Sequence, residues 1–217
     1  MAIPVLVIGN KNYSSWSLRP WLAMKLLGLA FEERRIALYR PESKTEILRA
    51  SPSGKVPCLI DGETRVWDSL AILEYLAESR PELWPEARAA RAHARSVSAE
   101  MHSGFPRLRE HMSMNVRKRF PGKGRAPEVP EEIARIVALW SDCRSRYGAT
   151  GPYLFGRFTA ADAMYAPVVL RFLTYEVELP PACRTYADAI LALPAMREWI
   201  AAAERETESI APFDLYG

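Results

Sequence analysis

The signals for β-strands end before Pro81 in this chain, and that division constrains its fold more than any other feature. Up to about residue 79 the pattern predicts strand, helix, strand, helix, strand, strand and helix. Beyond Pro81 and Pro85 the composition shifts to Ala, Arg and Glu at helical spacing. The sequence therefore predicts an α/β domain over residues 1–80, a linker over 81–88 and an all-α domain over 89–217.

A β-hairpin is the clearest element of the first domain. Asp61-Gly62 supplies the positive φ values that a tight turn requires, and it lies between the apolar runs 56–60 and 64–67. A weaker strand around 31–38 carries four consecutive charges, which an edge or boundary position in the sheet would explain.

Helical patterns cover the second domain. Thr159 and Asp162 form a Ser/Thr-x-x-acid box, in which each side chain can accept a backbone N–H of a first helical turn. The predicted helices are 86–118 with a break near Gly104 and Pro106, 130–147, a segment from Thr159 with a bend at Pro167, and segments after Pro181 and Pro194.

Composition indicates an ordinary globular protein that does not bind nucleic acid. The chain has 217 residues, 49% apolar content and a net charge of only +3. No apolar stretch approaches the ~20 residues of a membrane span, and the start lacks a signal-peptide pattern, so we expect a cytoplasmic location without a membrane partner. One basic cluster favours a solvated loop over a phosphate-binding patch: Arg117, Lys118, Arg119, Lys123 and Arg125.

The cysteine and histidine patterns argue against a metal site. Cys58, Cys143 and Cys183 are far apart and odd in number, which favours reduced thiols over disulfides, zinc ligands or a dithiol centre. The three histidines recur every nine residues, a spacing that puts successive side chains on opposite faces of a helix. No metal is therefore expected.

Ser14 and Ser15 lie between the predicted strand 5–8 and an amphipathic helix. Because proline has no N–H to donate, we expect Pro20 in the first turn of that helix, with the N-cap between residues 15 and 17. Free N–H groups and the helix dipole favour an anion at such a terminus. Taken alone, the motif favours simple capping by serine.

Two further motifs of the first domain have both a structural and a functional interpretation. Pro57 follows Lys55-Val56 at the start of an apolar strand, so it forms either a cis bond that turns the Val56 backbone outward or a trans bond at a strand start. Asp68-Ser69 places an acid and a hydroxyl at a second strand-to-helix turn, where a simple N-cap is the alternative.

On these motifs in this order, the chain resembles the cytosolic glutathione S-transferases, specifically a bacterial-type member of the serine branch with the zeta, tau and theta classes. The resemblance implies a thioredoxin-like N-terminal domain followed by an all-helical C-terminal domain. It covers most of the chain, through segments 13–19, 51–59, 68–76 and 159–162 together with Pro167.

The resemblance implies roles for residues of the first domain. Ser14 would hydrogen-bond the glutathione sulfur, with Ser15 the nearest competitor and Tyr13 third. The Val56 backbone, before Pro57, would pair with the cysteinyl part of glutathione.

The same resemblance implies contacts to the two ends of glutathione. Asp68 and Ser69 would bind the γ-glutamyl end, although the family more often has Glu or Gln where this chain has Asp68. Lys55 would pair with a carboxylate, while Arg40 and Lys44 are weaker candidates for the glycine end.

The electrophile is expected over the helical domain. The candidate residues suit an apolar acceptor or a developing negative charge, and they are equally good core or surface residues. They are Met101, His102, Phe105 and Arg109, with Met112 beside them.

The resemblance thus implies a homodimeric glutathione transferase of the detoxification type, whose partners are glutathione as co-substrate and a small electrophile. An isomerase or a peroxidase would use the same thiolate, because the site specifies the nucleophile more than the acceptor. A non-catalytic binding or regulatory scaffold is the alternative from another class. Nucleotide binding at Ser14 has little support, because the turn lacks a glycine-rich loop.

Overall fold

The computed structural model describes residues 3–216 of the chain, which leaves out the first two residues and the last residue of the predicted domains. Strands of the described residues form one mixed sheet. They are β1 (Val5–Ile8), β2 (Glu32–Arg35), β3 (Cys58–Asp61) and β4 (Thr64–Val66). Their order is β2-β1-β3-β4, with β1 parallel to β2 and antiparallel to β3.

Strand β1 lies at the centre of the sheet because its side chains are apolar on both faces. Leu6 pairs with Leu59 of β3 and with Glu33 of β2. All four residues of β2 are exposed, so the predicted edge position is confirmed. The hairpin is also confirmed, with Gly62 at φ 59° in its turn, but β3 begins at Cys58, because Pro57 has no N–H for the ladder.

Three α-helices of the described residues lie between or after the strands, and six follow residue 80, where strand signals are absent. They are α1 (Ser15–Leu26), α2 (Ser43–Ala50), α3 (Ser69–Ser79), α4 (Arg88–Ser103), α5 (Pro106–His111), α6 (Val129–Tyr147), α7 (Ala160–Thr174), α8 (Pro181–Ala192) and α9 (Pro194–Glu204). Within residues 3–216, no helix is long and apolar enough to span a membrane.

The start of α1 differs from the sequence prediction. Ser14 is the N-cap and Ser15 the first helical residue, so Pro20 lies inside the helix and not in its first turn. An internal proline costs about 3 kcal/mol in an isolated helix. It is tolerated here because α1 is buried on most sides, against the sheet, α3, α7 and α9.

The segment after α5 also differs from the prediction. The break at Gly104 and Pro106 is confirmed, but the helix does not continue to residue 118. The backbone N–H groups of Val116 and Arg117 donate to Asn12, at 3.3 Å to its carbonyl and 2.9 Å to its side chain. These partners replace the i−4 carbonyls that a helix would supply.

Helix α7 lies at the centre of the helical half and packs against both α1 and α4. Its capping box is confirmed, since Asp162 Oδ2 accepts the Thr159 N–H at 2.7 Å and Oδ1 accepts the Leu154 N–H at 3.0 Å. Burial raises the pKa of Asp162 to about 6, because those hydrogen bonds only partly offset its desolvation. Pro167 lies inside this helix.

Candidate active site

A cavity of about 380 Å³ opens at the N-terminus of α1. In the first half of the chain, its walls come from the turn at the start of α1 and from the segments around Tyr39 and Val56. In the second half, they come from helices α5 and α7, the segment around Ser113, and Phe213 near the end of the described chain. A larger cleft of about 610 Å³ lies between α3 and α4, and no site residue predicted from the sequence lines it. The smaller cavity is therefore the candidate active site.

Ser14 and Ser15 both line the cavity, but their hydroxyls have different partners. Ser14 Oγ donates to Ser17 Oγ at 2.8 Å and accepts the Ser17 N–H at 3.4 Å, as an N-cap does. Ser15 Oγ accepts from Arg171 Nη2 at 3.3 Å. Only 6% of Ser14 and 4% of Ser15 is exposed, so an anion held by either would be largely shielded from water.

The Tyr13 hydroxyl points to the C-terminal segment. It lies 3.0 Å from both carboxylate oxygens of Asp214 and accepts from Arg117 Nη2 at 3.1 Å. Arg117 also donates to the carbonyls of Glu206 and Glu208, so its side chain is bound to the protein and not solvated as predicted for the basic cluster. The Tyr13 ring still lines the cavity.

Lys55 and Val56 also line the cavity. The Val56-Pro57 bond is cis, which selects one of the two alternatives left open by the sequence. Among the described residues, the Val56 N–H and C=O have no backbone partner, so both are available to an extended ligand. Arg40 and Lys44 are exposed and do not line the cavity, whereas their neighbour Tyr39 does.

Asp68 and Ser69 do not line this cavity. Asp68 caps α3 by accepting the Leu70 N–H at 3.0 Å, and its Oδ2 lies 3.1 Å from His102 Nε2. Ser69 is fully buried and its Oγ accepts from Arg19 Nη1 at 3.3 Å. The two residues thus contact α1 and α4 in this structure.

Trp16 links the cavity to the Asp68–Ser69 turn. Its ring lies 4.3 Å from the Arg19 guanidinium and 4.9 Å from that of Arg109, and His102 meets it edge-on at 5.3 Å. The tryptophan therefore contacts both arginines by cation–π interaction.

Most of the acceptor residues predicted from the sequence lie elsewhere. Met101 and Phe105 are in the hydrophobic core, as is Met112, so the core interpretation holds for these three. Met101 belongs to the buried face of α4, which follows helical spacing from Ala90. Of the predicted set, Arg109 alone lines the cavity among the described residues.

Three arginines lie near the serine turn: Arg19 and Arg171 are buried and Arg109 is partly exposed. None of them forms a salt bridge with any residue between 3 and 216. Burial lowers the pKa of Arg19, and the charges of Arg109 and Arg171 lower it further. Burial lowers the pKa of Arg171 to about 9, with Arg109 the next cause. The site therefore concentrates positive charge that is not balanced by a paired carboxylate.

Sequence reasoning missed Arg171, although a signal for it existed. It is the only charged residue between Asp162 and Glu176, in an otherwise apolar helix. A lone charge on a buried helix has to find a polar partner. The contribution of Phe213 carried no comparable signal.

A mixed sheet preceding a helical half, with two serines and the residue before a cis-proline lining one cavity, defines a two-part class that begins with a thioredoxin-like domain. Family models match both halves: "Glutathione S-transferase, N-terminal domain" over residues 13–79 and "Glutathione S-transferase, C-terminal domain" over 125–202. The chain belongs to the glutathione S-transferase family.

Individual relatives agree with this assignment. Maleylacetoacetate isomerase of Rattus norvegicus is 32% identical over 204 residues, which cover 89% of this chain and 90% of that protein. Glutathione S-transferase Z2 of Arabidopsis thaliana is 26% identical over 216 residues, which cover 92% of this chain and 94% of that protein. A glutathione transferase homologue from Burkholderia, solved with bound glutathione, shares the fold with a TM-score of 0.69 at 22% identity, over 95% of this chain and all of that one.

Proposed function

We propose that this protein is a glutathione transferase that binds glutathione in the 380 Å³ cavity and holds its sulfur as a thiolate at the serine turn. The observation that carries the proposal is the pair of buried serine residues at the N-terminus of α1, which share one cavity with Val56, whose backbone has no backbone partner among residues 3–216. The thiolate would then attack a small electrophile placed on the α5 and α7 side.

The energy that this step requires is modest. A thiol with a pKa of ~8.5 is only a few per cent ionised at neutral pH. Lowering that pKa by ~1.5 units takes about 2 kcal/mol. One hydrogen bond from a hydroxyl to a charged group supplies about 1.5–3 kcal/mol, and a helix N-terminus about 0.3–1.

Four further contacts belong to the proposal. The Val56 backbone pairs with the cysteinyl part of glutathione, and Lys55 with a carboxylate. Asp68 and Ser69 bind the γ-glutamyl end. Support comes from the sequence resemblance and from the positions of Lys55 and Val56 in the cavity wall. Binding at Ser69 requires a movement of Trp16 or Arg19, because the Ser69 hydroxyl is buried under Arg19.

Glutathione titration tests this proposal directly. Binding is measured by calorimetry, and ionisation by the ultraviolet absorbance of the thiolate as pH varies. S-methylglutathione is the matched control, because it has no thiol to ionise. We expect binding of both ligands and a thiolate signal below the ordinary thiol pKa for glutathione alone. Absence of binding, or binding with an ordinary thiol pKa, would overturn the transferase proposal, and the second result would favour a scaffold.

A second candidate function is glutathione-dependent isomerisation of an anionic substrate. Arg109 and Arg171 line the cavity without a paired carboxylate among residues 3–216, which favours an acceptor with negative charge. The rat relative is named maleylacetoacetate isomerase. Comparing turnover of a carboxylate-bearing activated cis alkene with that of a neutral aryl halide separates the two functions, and a peroxide assay tests the peroxidase alternative.

The domain limits, assembly and location are also proposals. We infer domains 1–80 and 89–217 with a linker at 81–88, supported by the end of the strands and by the limits of the two family models. A homodimer is supported by the family resemblance and is tested by light scattering. A cytoplasmic location is supported by three free, buried cysteines.

A further inference from the structure

The two serines of the turn differ in where their hydroxyl protons go. Ser14 gives its proton to Ser17 Oγ, and Ser17 Oγ is itself fixed by the Gly9 N–H at 3.1 Å. Ser14 therefore closes a hydrogen-bond chain within the turn. To donate to a sulfur, the Ser14 hydroxyl would first have to break its hydrogen bond to Ser17 Oγ.

Ser15 has the opposite arrangement. Its Oγ accepts from Arg171, and no residue between 3 and 216 accepts its O–H. A hydroxyl whose lone pair is held by a cation has its proton free for another acceptor. Because Ser15 lines the cavity, that acceptor would be an atom of the ligand.

Arg171 is held rigidly between two elements. Its side chain crosses from α7 to the start of α1, where Nη2 reaches Ser15, and Nη1 donates to the Met112 carbonyl. Only 6% of the residue is exposed. No carboxylate between residues 3 and 216 pairs with it, so its charge lies in the cavity wall beside the Ser15 oxygen.

We propose that Arg171 is a positioning residue for the glutathione thiolate: it holds Ser15 Oγ as an acceptor and thereby directs the Ser15 O–H to the sulfur. This inference rests on the proposed function, because it names which hydroxyl of the turn contacts the sulfur and what orients it. It replaces the sequence-based preference for Ser14 with Ser15.

Other ionisable groups lie near the serine turn and must be held constant in a test. Arg19 of α1 and Arg109 of α5 lie in the same cluster. His102 of α4 and the Asp68 carboxylate form a pair beyond Trp16. The measurement therefore compares variants of Ser15 and Arg171 in a chain that keeps these four residues.

The experiment is a double-mutant cycle on the full-length protein at saturating glutathione. The thiol pKa is read from thiolate absorbance for Ser15→Ala, Arg171→Met and the double variant. We expect each single change to raise the thiol pKa by about one unit. At a pH well below that pKa, the thiolate fraction would then be about tenfold lower than in the unmodified protein. The thiol pKa of the double variant should rise clearly less than the sum of the two single-variant shifts. Arg171→Lys should recover part of the loss, and Ser14→Ala should shift the pKa less than Ser15→Ala.

Arg144→Met is the matched control for loss of a carbonyl-bound arginine. Arg144 donates to the Gly148 and Tyr153 carbonyls, away from the cavity. This variant should lower the melting temperature without moving the thiol pKa. If Arg171→Met does not fold, Arg171→Lys takes its place in the cycle and keeps the test of the cation. Ser15→Ala against Ser15→Thr then tests the hydroxyl, because threonine keeps it and should keep the low thiol pKa.

Three results would overturn the inference while leaving the proposed function intact. They are an unchanged thiol pKa in folded Arg171→Met, strictly additive shifts in the cycle, and a larger shift in Ser14→Ala than in Ser15→Ala. Failure of the unmodified protein to bind glutathione would instead overturn the proposed function.

Discussion

The Tyr13 hydroxyl lies 3.0 Å from each carboxylate oxygen of Asp214 and so connects the turn before α1 to the last residues of the described chain. Phe213, next to Asp214, stacks on the Tyr13 ring with centroids 5.9 Å apart and lines the cavity. The C-terminal segment therefore forms one wall of the candidate active site, and its position depends on a hydrogen bond to the turn itself.

Tyr13→Phe should release the C-terminal segment and retain the thiolate. Its hydroxyl is engaged by Asp214 and Arg117, so the sulfur should not depend on it. We expect a loss of about 1–2 kcal/mol in free energy of unfolding. Hydrogen exchange of residues 209–214 should accelerate, while the pKa of bound glutathione thiol stays within a few tenths of a unit. A thiol pKa shift as large as that of Ser15→Ala would show that Tyr13 contacts the sulfur.

Asp162 should make the protein more stable at about pH 5 than at about pH 7. The pKa of this buried carboxyl is raised to about 6, above its ordinary value, so the folded state binds a proton that the unfolded chain has released. Stability from this group is thus present at low pH and is lost as pH rises through about 6. The gain from pH 7 to pH 5 is about 1 kcal/mol.

The control for this pH dependence is Asp162→Asn. Asparagine cannot titrate, so the free energy of unfolding of this variant, measured with denaturant, should lack the pH dependence that Asp162 contributes. The variant should be less stable than the unmodified protein, because the Thr159 N–H loses an anionic acceptor. Equal pH dependence in both proteins would contradict the expected protonation.

Trp16→Leu should lower the free energy of unfolding by about 2 kcal/mol, because two guanidiniums lose a cation–π partner worth about 0.5–2 kcal/mol each. Trp16→Phe keeps a weaker aromatic face and should lose less. Denaturant titration of the three proteins checks the ranking. If Trp16→Phe and Trp16→Leu lower the free energy of unfolding by the same amount, the ring contributes only apolar packing and no cation–π interaction.

Arg109→Met should affect anionic and neutral acceptors differently. Arg109 lines the cavity, and its Nε and Nη2 donate to the carbonyls of Gly104 and Met101. We expect kcat/KM to fall about tenfold for a carboxylate-bearing electrophile and to change little for a neutral one. Steady-state kinetics with a charged and uncharged pair of otherwise similar acceptors measures the difference. A parallel loss for both would indicate a structural role.

The order of elements was predictable from the sequence because each depends on local pattern. The Asp61-Gly62 hairpin, the charged edge strand and the Thr159–Asp162 box follow from residues close in the chain. The two errors arose where distant groups replaced local hydrogen bonds. Pro20 is tolerated inside α1 because of the packing around that helix. The segment after residue 111 is not helical, because Asn12 accepts backbone N–H groups there in place of helical carbonyls.

The candidate site was predictable only in part. Ser14, Ser15, Val56 and Pro57 were found because they lie in short motifs of the first 80 residues. The partner of Ser15 is Arg171, 156 residues further along the chain, and no periodicity connects the two. Long-range pairing of this kind is decided by how the two halves pack, which local patterns do not encode.

The serine turn takes its oxygen atoms from one half of the chain and its cation from the other, since Arg171 belongs to α7. A chimera that joins residues 1–80 to the helical half of a relative would inherit the hydroxyls with whatever residue that relative carries at this helix position. The chemistry of the nucleophile in such a hybrid would then follow the donor of the helices, and recombination between family members would alter reactivity and acceptor choice together.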